Sequence, residues 1–315
     1  MKKQNKKSVG LRIALPNGSL EEGTMRLFEQ ANLRIFKDPR KHNARIEDQL
    51  FSEVTFMRPQ HIPRLVENGT YDIGICGLDC QFESSAHNCV IAELPYGRGN
   101  SSGKAKVVLV TSQSNHAKRI EDVERSSILD EYPSILSEYP SLTKSSFRDR
   151  NIDVKIEFSY GGTEAHIPRD YKYGVCLTDT GASLVANGLK TIHTFLESYT
   201  CLITNQEIWC RSGTKTSDHA KKKSVVALKH LLLGTLAARE QVFLVMNVTT
   251  QDKDKLLQQL PALKTPTITP LSGGNYFSVG AVIFKEELNT LIPALLTSGA
   301  EDLVEMPISK VIKSW

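Results

Sequence analysis

The sequence predicts an α/β protein whose chain ends in a separate C-terminal module. Short apolar runs typical of strands alternate with helical patterns, strands end at Gly or polar turns, and the order of elements changes after a long helix. Strands that alternate with helices indicate a parallel sheet covered by helices on both faces. With 315 residues, the chain is long enough for two or three domains.

The N-terminal part begins with a strand, a turn and a helix. The first apolar run is Leu11 to Leu15, and the Pro-Asn-Gly turn after it leads into a helical pattern that reaches Ala31. A second helix is predicted at Ile62 to Glu67, because the Asn-Gly pair that follows is a helix stop signal. It leads to a buried strand between Tyr71 and Gly77.

The middle of the chain supplies further strands of the same kind. They are predicted at Val107 to Thr111, Val154 to Phe158 and Val175 to Thr178. Between the first two, the sequence EYPS occurs twice, starting at Glu131 and Glu138. Two copies are too few for a repeat architecture, so we interpret them as a local duplication or chance.

A long helix from Ser217 to Arg239 links this part to the C-terminal module. The βαββαβ order of the module predicts a ferredoxin-like fold. Its predicted elements are strand Val242 to Val248, helix Lys253 to Leu260, strands Pro266 to Leu271 and Tyr276 to Phe284, helix Glu286 to Thr297 and strand Leu303 to Ile308.

Composition and charge exclude several classes of protein. The net charge of +4 is too small to indicate nucleic-acid binding, and no window of about 18 apolar residues suggests a membrane span. The basic start has no apolar signal-peptide core, so we expect a soluble, cytoplasmic protein. The six cysteines form no CxxC pair, which favours reduced, buried thiols over disulfides or a structural metal: Cys76, Cys80, Cys89, Cys176, Cys201 and Cys210.

One segment has the pattern of an anion-binding loop. The strand ending at Thr178 is followed by Asp179 and then by Thr180-Gly181-Ala182-Ser183-Leu184 at the start of a helix. Backbone amides at a helix N-terminus, a glycine and two hydroxyls would suit a phosphate. An isolated Thr-Gly-x-Ser pattern is more simply an N-cap turn, so the loop alone does not identify the ligand.

Eight segments in consistent order carry a resemblance to one family. They are LRIALPNGSL at Leu11, MRPQHIP at Met57, VENGTYDIGICGLD at Val66, GGTEA at Gly161, DTGASLVANGL at Asp179, AARE at Ala237, LPALKTPTITPL at Leu260 and TSGAEDLVEMPISKVI at Thr297. Together they resemble the long form of ATP phosphoribosyltransferase, the first enzyme of histidine biosynthesis, over nearly the whole chain.

The resemblance implies a two-lobed catalytic part like a periplasmic binding protein, followed by a regulatory domain. Lobe I would comprise residues 1–105, completed by about 197–215, and lobe II residues 106–196 with the phosphate loop. Residues 216–239 would form the linking helix and residues 240–315 the ferredoxin-like domain. The active site would lie in the cleft between the lobes.

The resemblance also implies the reaction and its residues. Phosphoribosyl would be transferred from phosphoribosyl pyrophosphate to N1 of ATP with Mg²⁺, the protein mainly positioning substrates and stabilising charge. The loop from Asp179 to Leu184 would hold the 5-phosphate. The catalytic acids would be Glu164 and Asp179. Glu164 and Asp79 would lie near the loop, on ribose hydroxyls, Mg²⁺ or the acceptor, and Gly77, two residues before Asp79, would also contact substrate. Candidate cations for the polyphosphates are Arg58, Lys104 and Lys106; for Lys104, solvated surface charge is an equal alternative.

The chain departs from the family pattern at two places. Asn17 and Ser19 stand where the family has Lys and Arg after the first strand. Two acids expected before the phosphate loop fall on Lys172 and Cys176, and Asp170 or Asp179 could substitute. These changes leave open ATP phosphoribosyl transfer, transfer to another heterocyclic acceptor, or a catalytically silent nucleotide-binding paralogue.

The C-terminal module would, by the same resemblance, bind histidine as a feedback inhibitor and join subunits into homo-oligomers from dimer to hexamer. Thr267, Thr269 and Ser272, beside the Gly273-Gly274 turn, offer hydroxyls for an amino acid. A plain strand with exposed threonines is the alternative.

Overall fold

The computed structural model describes residues 10–38, 40–97, 104–123, 132–210, 216–261 and 265–313. The chain divides into two compact units, Met1–Glu29 with Leu33–Lys229, and Gln30–Asn32 with His230–Trp315. Two β-sheets belong to the first unit and one to the second.

The first unit contains twelve strands among its described residues. They are β1 (Leu11–Pro16), β2 (Ile35–Lys37), β3 (Asn43–Ile46), β4 (Phe51–Met57), β5 (Ile73–Gly77), β6 (Asn88–Glu93), β7 (Ala105–Ser112), β8 (Ser134–Ser137), β9 (Lys155–Phe158), β10 (Tyr173–Thr178), β11 (Leu189–Ser198) and β12 (Thr200–Asn205). The helices are α1 (Glu21–Gln30), α2 (Ile62–Glu67), α3 (Leu78–Ser84), α4 (Pro140–Arg148), α5 (Ala182–Ala186), α6 (Gln206–Trp209) and α7 (Thr216–Arg239), whose last turns lie in the second unit.

The larger sheet is parallel only in its centre. Its seven strands are ordered β2-β3-β4-β1-β5-β12-β6. Strand β1 pairs in parallel with β4 and β5, whereas β12 runs antiparallel to β5 and β6. The expectation of a wholly parallel sheet was therefore wrong, because β12 returns from much later in the chain and inserts between β5 and β6.

The second sheet has five strands in the order β11-β7-β10-β8-β9. Strands β8, β9 and β10 are parallel, and β7 is antiparallel to β10. Strand β8 runs from the last residue of the first EYPS copy to the residue before the second, and helix α4 begins inside the second copy, at Pro140. Of the first copy, only Glu131 lies outside the described residues, whereas most of the Gly97 to Lys104 stretch lies outside them.

Most predicted elements are confirmed with small changes at their ends. Helices α1, α2 and α7 and strands β1, β5, β7, β9 and β10 lie where the hydrophobic pattern predicts them. Strands β2, β3, β4, β6, β11 and β12 were not predicted, since several are short or half exposed and lack a clear apolar run.

The second unit forms the expected βαββαβ module. Its four strands are ordered β14-β15-β13-β16, all pairs antiparallel, as in ferredoxin-like domains. The core lies between this sheet and the two helices. The elements are β13 (Gln241–Thr249), α8 (Lys253–Gln259), β14 (Thr267–Pro270), β15 (Tyr276–Phe284), α9 (Lys285–Thr297) and β16 (Ala300–Pro307).

The cysteines are all free, but only four are buried as expected. Cys89 is half-buried and Cys210 is exposed, because β6 is an edge strand and Cys210 lies at the exposed end of α6. Within the described residues, no helix is both long and apolar enough to cross a membrane.

Candidate functional site

The carboxyl ends of the parallel strands β8, β9 and β10 bring three loops to one edge of the five-stranded sheet. These loops begin at Glu138, Ser159 and Asp179. In open α/β sheets, ligands bind outside this edge. The sheet therefore places the GGTEA and DTGAS segments at the same edge, with the second EYPS copy, which follows β8, between them.

The predicted phosphate loop is exposed and glycine-dependent. Gly181 has φ +77°, and no atom lies within 4 Å of the position that a Cβ would take. The Gly181 N–H donates to Thr178 Oγ1 at 3.1 Å, and the Ala182 N–H donates to Thr180 Oγ1 at 3.3 Å. Helix α5 is only five residues long, so its dipole contributes little, and the loop's hydroxyls and open backbone are the relevant features.

The structure joins the two predicted loops by a hydrogen bond. Ser183 Oγ donates to Glu164 Oε1 at 3.2 Å. Glu164 lies in a 3₁₀ turn that begins after Gly161 and Gly162, both with positive φ and with open space around them. An acid and a hydroxyl loop thus share one surface, as the family resemblance implies.

Glu138 is a neighbouring acid that the sequence analysis missed. Its Oε1 accepts a hydrogen bond from Thr163 Oγ1 at 2.9 Å, and Thr163 is fully buried. Burial raises the pKa of Glu138, the Thr163 hydrogen bonds oppose this, and the charge of Glu164 adds to it. Glu138 belongs to the second EYPS copy, and only the pairing of β8 with β10 places it here.

Two predicted cations lie at the start of β7. Lys106 is the register partner of Thr178, which places it beside the phosphate loop, and its Nζ lies 3.1 Å from Glu197 Oε1. Both side chains of this pair are more than half exposed, so a polyanionic ligand can compete for the lysine. Lys104 precedes β7 and is exposed.

Further predicted residues lie at the carboxyl edge of the seven-stranded sheet. Asn17 follows β1 and its N–H donates to the Met57 carbonyl at 2.8 Å, which brings it beside Arg58 at the end of β4. Ser19 and Arg58 are exposed, and Asn17 is half-buried. Parallel pairing of β1 and β4 therefore gathers these residues at one edge.

Asp79 does not lie open to a substrate. It is 6% exposed, and its Oδ2 accepts from the Tyr139 hydroxyl at 2.9 Å while its Oδ1 accepts from Ser198 Oγ. A Cβ on Gly77 would lie 2.2 Å from Asp79 Oδ1, so Gly77 makes room for this carboxylate. The structure therefore corrects the expectation that Asp79 and Gly77 face a ribose or Mg²⁺: Asp79 joins α3 to the loop between β8 and α4.

A second acid on α3 reinforces this contact. Glu83 accepts the Ser141 N–H at 2.9 Å and the Leu142 N–H at 3.0 Å, which are otherwise unpaired amides of the first turn of α4. Together Asp79 and Glu83 connect two segments of the unit. One is α3, which follows strand β5 of the seven-stranded sheet, and the other runs from Tyr139 into α4, after strand β8 of the five-stranded sheet. We call these four residues, Asp79, Glu83, Tyr139 and Ser198, the α3–α4 clamp.

The positions where family acids were expected have other roles. Lys172 is exposed, and Cys176 is buried in β10, where burial and the charges of Glu164 and Glu138 raise its pKa. Asp170 is paired on the surface with Arg169 and His166, which lower its pKa to about 2. Asp179, exposed at the end of β10, is the acid closest in sequence to the loop.

The C-terminal module has a surface cavity of about 430 Å³ beside the Gly273-Gly274 turn. Ser272 lines it, but Thr267 and Thr269 do not, because they lie further along exposed strand β14. Polar groups that the sequence analysis missed complete the lining: Asn247, Glu301 and Asp302. An open cavity of about 740 Å³ beside α4 and β9 is lined by none of the predicted site residues.

The described residues contain no cluster of three or more His, Cys, Asp or Glu side chains suited to a metal ion. Mg²⁺ at nucleotide sites takes one or two carboxylates and completes its shell with substrate phosphates and water. The half-buried carboxylate of Glu164 and the exposed carboxylate of Asp179 beside the phosphate loop fit that mode, and they do not fit a metal cage made by the protein alone.

Comparisons with known proteins agree with this architecture. The family model described as ATP phosphoribosyltransferase matches residues 58–226, and the model described as HisG, C-terminal domain matches residues 238–310. ATP phosphoribosyltransferases from Pelotomaculum thermopropionicum and Desulforudis audaxviator are 36% and 32% identical over 96% of this chain and 99% of theirs. The solved ATP phosphoribosyl transferase (HisG:HisZ) complex from Thermotoga maritima aligns with a TM-score of 0.56 and 20% identity, covering 71% of this chain and 96% of that chain.

Proposed function

Since this chain belongs to the ATP phosphoribosyltransferase family, we propose that it transfers phosphoribosyl from phosphoribosyl pyrophosphate to N1 of ATP in a Mg²⁺-dependent reaction. The family's enzymes are pentosyltransferases that perform the first step of histidine biosynthesis. The observation that carries the finer proposal is the junction of the Ser183 hydroxyl loop with Glu164 at the carboxyl edge of the five-stranded sheet.

In this reaction the bond from ribose C1 to pyrophosphate breaks and a bond from C1 to the attacking nitrogen forms. Positive charge develops on the ribose and negative charge on the leaving group, so fixed dipoles and charges stabilise the transition state without a covalent nucleophile. The amides of residues 180–184 and the hydroxyls of Thr180 and Ser183 would hold the 5-phosphate. Glu164 would accept from the ribose hydroxyls.

Cations would meet the polyphosphates. Lys106 lies beside the loop, and its pair with Glu197 is exposed, so the leaving pyrophosphate can compete for the lysine. Arg58 and Lys104 are further exposed cations. When bound, Mg²⁺ would neutralise charge on the pyrophosphate, with Glu164 and Asp179 as its protein ligands.

On the acceptor side, Asn17 and Ser19 stand where the family resemblance places a Lys and an Arg. Both residues lie at the carboxyl edge beside Arg58, where a triphosphate would need compensation for its charge. We expect ATP to bind more weakly here than in relatives that have Lys and Arg. The double variant Asn17→Lys/Ser19→Arg should lower the KM for ATP and leave the KM for phosphoribosyl pyrophosphate unchanged.

The experiment that tests the loop compares Ser183→Ala with Ser114→Ala. Ser114 is an exposed serine after the other end of β7, so its loss controls for removal of a surface hydroxyl. Loss of one hydrogen bond to a charged phosphate is worth roughly 1.5–3 kcal/mol, or about a 10- to 150-fold higher KM for phosphoribosyl pyrophosphate. An unchanged KM in Ser183→Ala would remove the loop from the phosphate site.

The C-terminal module would bind histidine as a feedback inhibitor, and the enzyme would work as a homo-oligomer between dimer and hexamer. The cavity supports the effector proposal, because Glu301 and Asp302 can receive an amino group and Ser272 and Asn247 offer polar partners. Among these, Asn247 Nδ2 donates to Asp302 Oδ2 at 3.1 Å, so Glu301 is the acid to test.

The effector test measures histidine inhibition of turnover in the full chain. Glu301→Gln should raise the histidine concentration for half inhibition without changing uninhibited turnover, whereas Thr267→Val, outside the cavity, should leave inhibition intact. If Thr267→Val weakens inhibition and Glu301→Gln does not, the effector binds along β14 instead.

A further inference from the structure

Two cysteines that are far apart in sequence lie beside each other in the first unit. Cys89 Sγ and Cys210 Sγ are 3.3 Å apart although 121 residues separate them, and both are free thiols. Cys210 is exposed and Cys89 is half-buried. The reaction proposed above uses neither residue, and no part of the following argument depends on that reaction.

Backbone pairing fixes the position of both sulfurs. Cys89 lies in edge strand β6 directly opposite Thr204 of β12. Asn205 then caps α6, since its side chain accepts the Glu207 N–H at 2.7 Å, and the Cys210 N–H donates to the Gln206 carbonyl at 2.8 Å. The short helix therefore returns Cys210 over β6 through regular hydrogen bonds.

Neighbouring contacts hold this corner, the segment from Asn205 to Cys210, from both sides. The Asn205 side-chain amide donates to the carbonyls of Val66 and Glu67 at 2.8 and 2.9 Å. From α7, Lys222 Nζ donates to the carbonyl of Trp209, the residue before Cys210, at 2.7 Å. The corner is thus anchored in the core of the unit, and the two thiols need only a small approach to react.

We propose that Cys89 and Cys210 form an oxidative modification site, at which a peroxide converts the pair to a reversible disulfide. The exposed Cys210 thiolate attacks the peroxide, giving Cys210 sulfenic acid and water from hydrogen peroxide. Cys89 sulfur then attacks the Cys210 sulfur, forming the S–S bond and releasing a second water as its proton passes to the leaving hydroxyl. Two thiols are oxidised and one peroxide is reduced.

The difference in exposure between the two thiols sets the order of these steps, because Cys210 is exposed and Cys89 is half-buried. Burial and the hydrogen bond with Cys210 raise the pKa of Cys89 to about 11, which keeps it protonated at neutral pH. Cys210 is therefore the thiol that meets the oxidant, and Cys89 is the resolving partner.

The chain contains an internal control for this proposal. Cys76 in β5 and Cys201 in β12 are register partners, and both are fully buried. Two thiols that lie close together but cannot be reached by peroxide should not react, so this second pair should stay reduced in the folded protein.

The test treats the folded, reduced full chain with hydrogen peroxide and measures its intact mass and its disulfides by peptide mapping. The expected result is a monomer that loses two hydrogen atoms, carries a Cys89–Cys210 link and regains its mass with dithiothreitol. Cys89→Ser should instead gain one oxygen at Cys210, and Cys76→Ala should behave like the natural chain.

Three results would overturn the proposal. These are addition of oxygen to Cys210 without loss of two hydrogens in the natural chain, a Cys76–Cys201 link in its place, or a Cys210-linked dimer as the main product. A circular dichroism spectrum after oxidation establishes that the chain stayed folded during the reaction.

Discussion

The α3–α4 clamp predicts a large cost for losing one hydroxyl. Tyr139 is 8% exposed, and its hydroxyl donates to Asp79 Oδ2 at 2.9 Å. Burial, followed by the charge of Asp79, raises the pKa of Tyr139 far above its ordinary value, so the phenol is a permanent donor. Tyr139→Phe would leave a buried carboxylate oxygen without this partner.

The magnitude follows from burial and charge. Hydrogen bonds to charged groups contribute about 1.5–3 kcal/mol, and a buried acceptor left unpaired costs the upper part of that range. Tyr171 supplies the matched control, because its hydroxyl donates to Glu157 Oε2 at 2.6 Å and both residues are only half-buried. Water can replace that bond, so Tyr171→Phe should cost much less than Tyr139→Phe.

Urea unfolding followed by fluorescence and circular dichroism measures both variants. We expect Tyr139→Phe to lower the unfolding free energy by roughly 2 kcal/mol more than Tyr171→Phe, with unchanged dependence on urea concentration. An equal loss of unfolding free energy in the two variants would show that the Tyr139 hydroxyl does not stabilise the Asp79 carboxylate. The clamp would then be only a packing contact.

The remaining predictions concern the first unit. Asp72 is 2% exposed; burial raises its pKa, but hydrogen bonds from Arg12 and Lys221 outweigh this and lower it below the ordinary value. The stability that these bonds to the ionised Asp72 carboxylate contribute is present above the unfolded pKa of about 4 and is lost as pH falls through the lower folded pKa. Asp72→Asn should therefore lower the unfolding free energy by about 2–3 kcal/mol at pH 7 and by less at pH 3, measured by urea unfolding; an equal loss at both pH values would contradict the ion-pair explanation. Gly77→Ala would place a methyl group 2.2 Å from Asp79 Oδ1 and should cost about 1–3 kcal/mol, whereas Gly74→Ala tests a similar clash against Ile62 in the core without touching the clamp. Only the effect of Gly77→Ala should become smaller in a Ser198→Ala background, because Ser198 holds the Asp79 Oδ1 that the methyl group would meet.

Local patterns predicted much of the fold because their apolar residues repeat at the period of the element. The C-terminal module illustrates this, since β13, β15 and α9 each have an uninterrupted pattern and their order alone specifies a ferredoxin-like sheet. The pairing of strands that are far apart in the sequence could not be predicted from such local patterns. Insertion of β12 between β5 and β6 joins residues more than a hundred positions apart, and no local pattern encodes it.

The candidate site shows the same division between features that local patterns predict and features that arise only from long-range contacts. The Asp179 to Leu184 loop could be predicted because glycines and hydroxyls after a strand have a direct physical meaning, whereas Glu164 was assigned only through the family resemblance. Glu138 and Tyr139 could not be predicted, since their roles arise only when β8 pairs with β10 and α3 approaches α4. Asp79 was assigned to the substrate side through the family resemblance, but its contacts with Ser198 and Tyr139 use both of its oxygens.

The decisive assay of the proposed transfer follows pyrophosphate release from phosphoribosyl pyrophosphate and Mg²⁺, with ATP and then with a panel of purines, pyrimidines and azoles as acceptors. We predict turnover with ATP, suppression by histidine, and loss of turnover when Mg²⁺ is removed. Turnover with another heterocycle but not with ATP would contradict the proposed acceptor, and silence with every acceptor despite binding of phosphoribosyl pyrophosphate would contradict the proposed reaction.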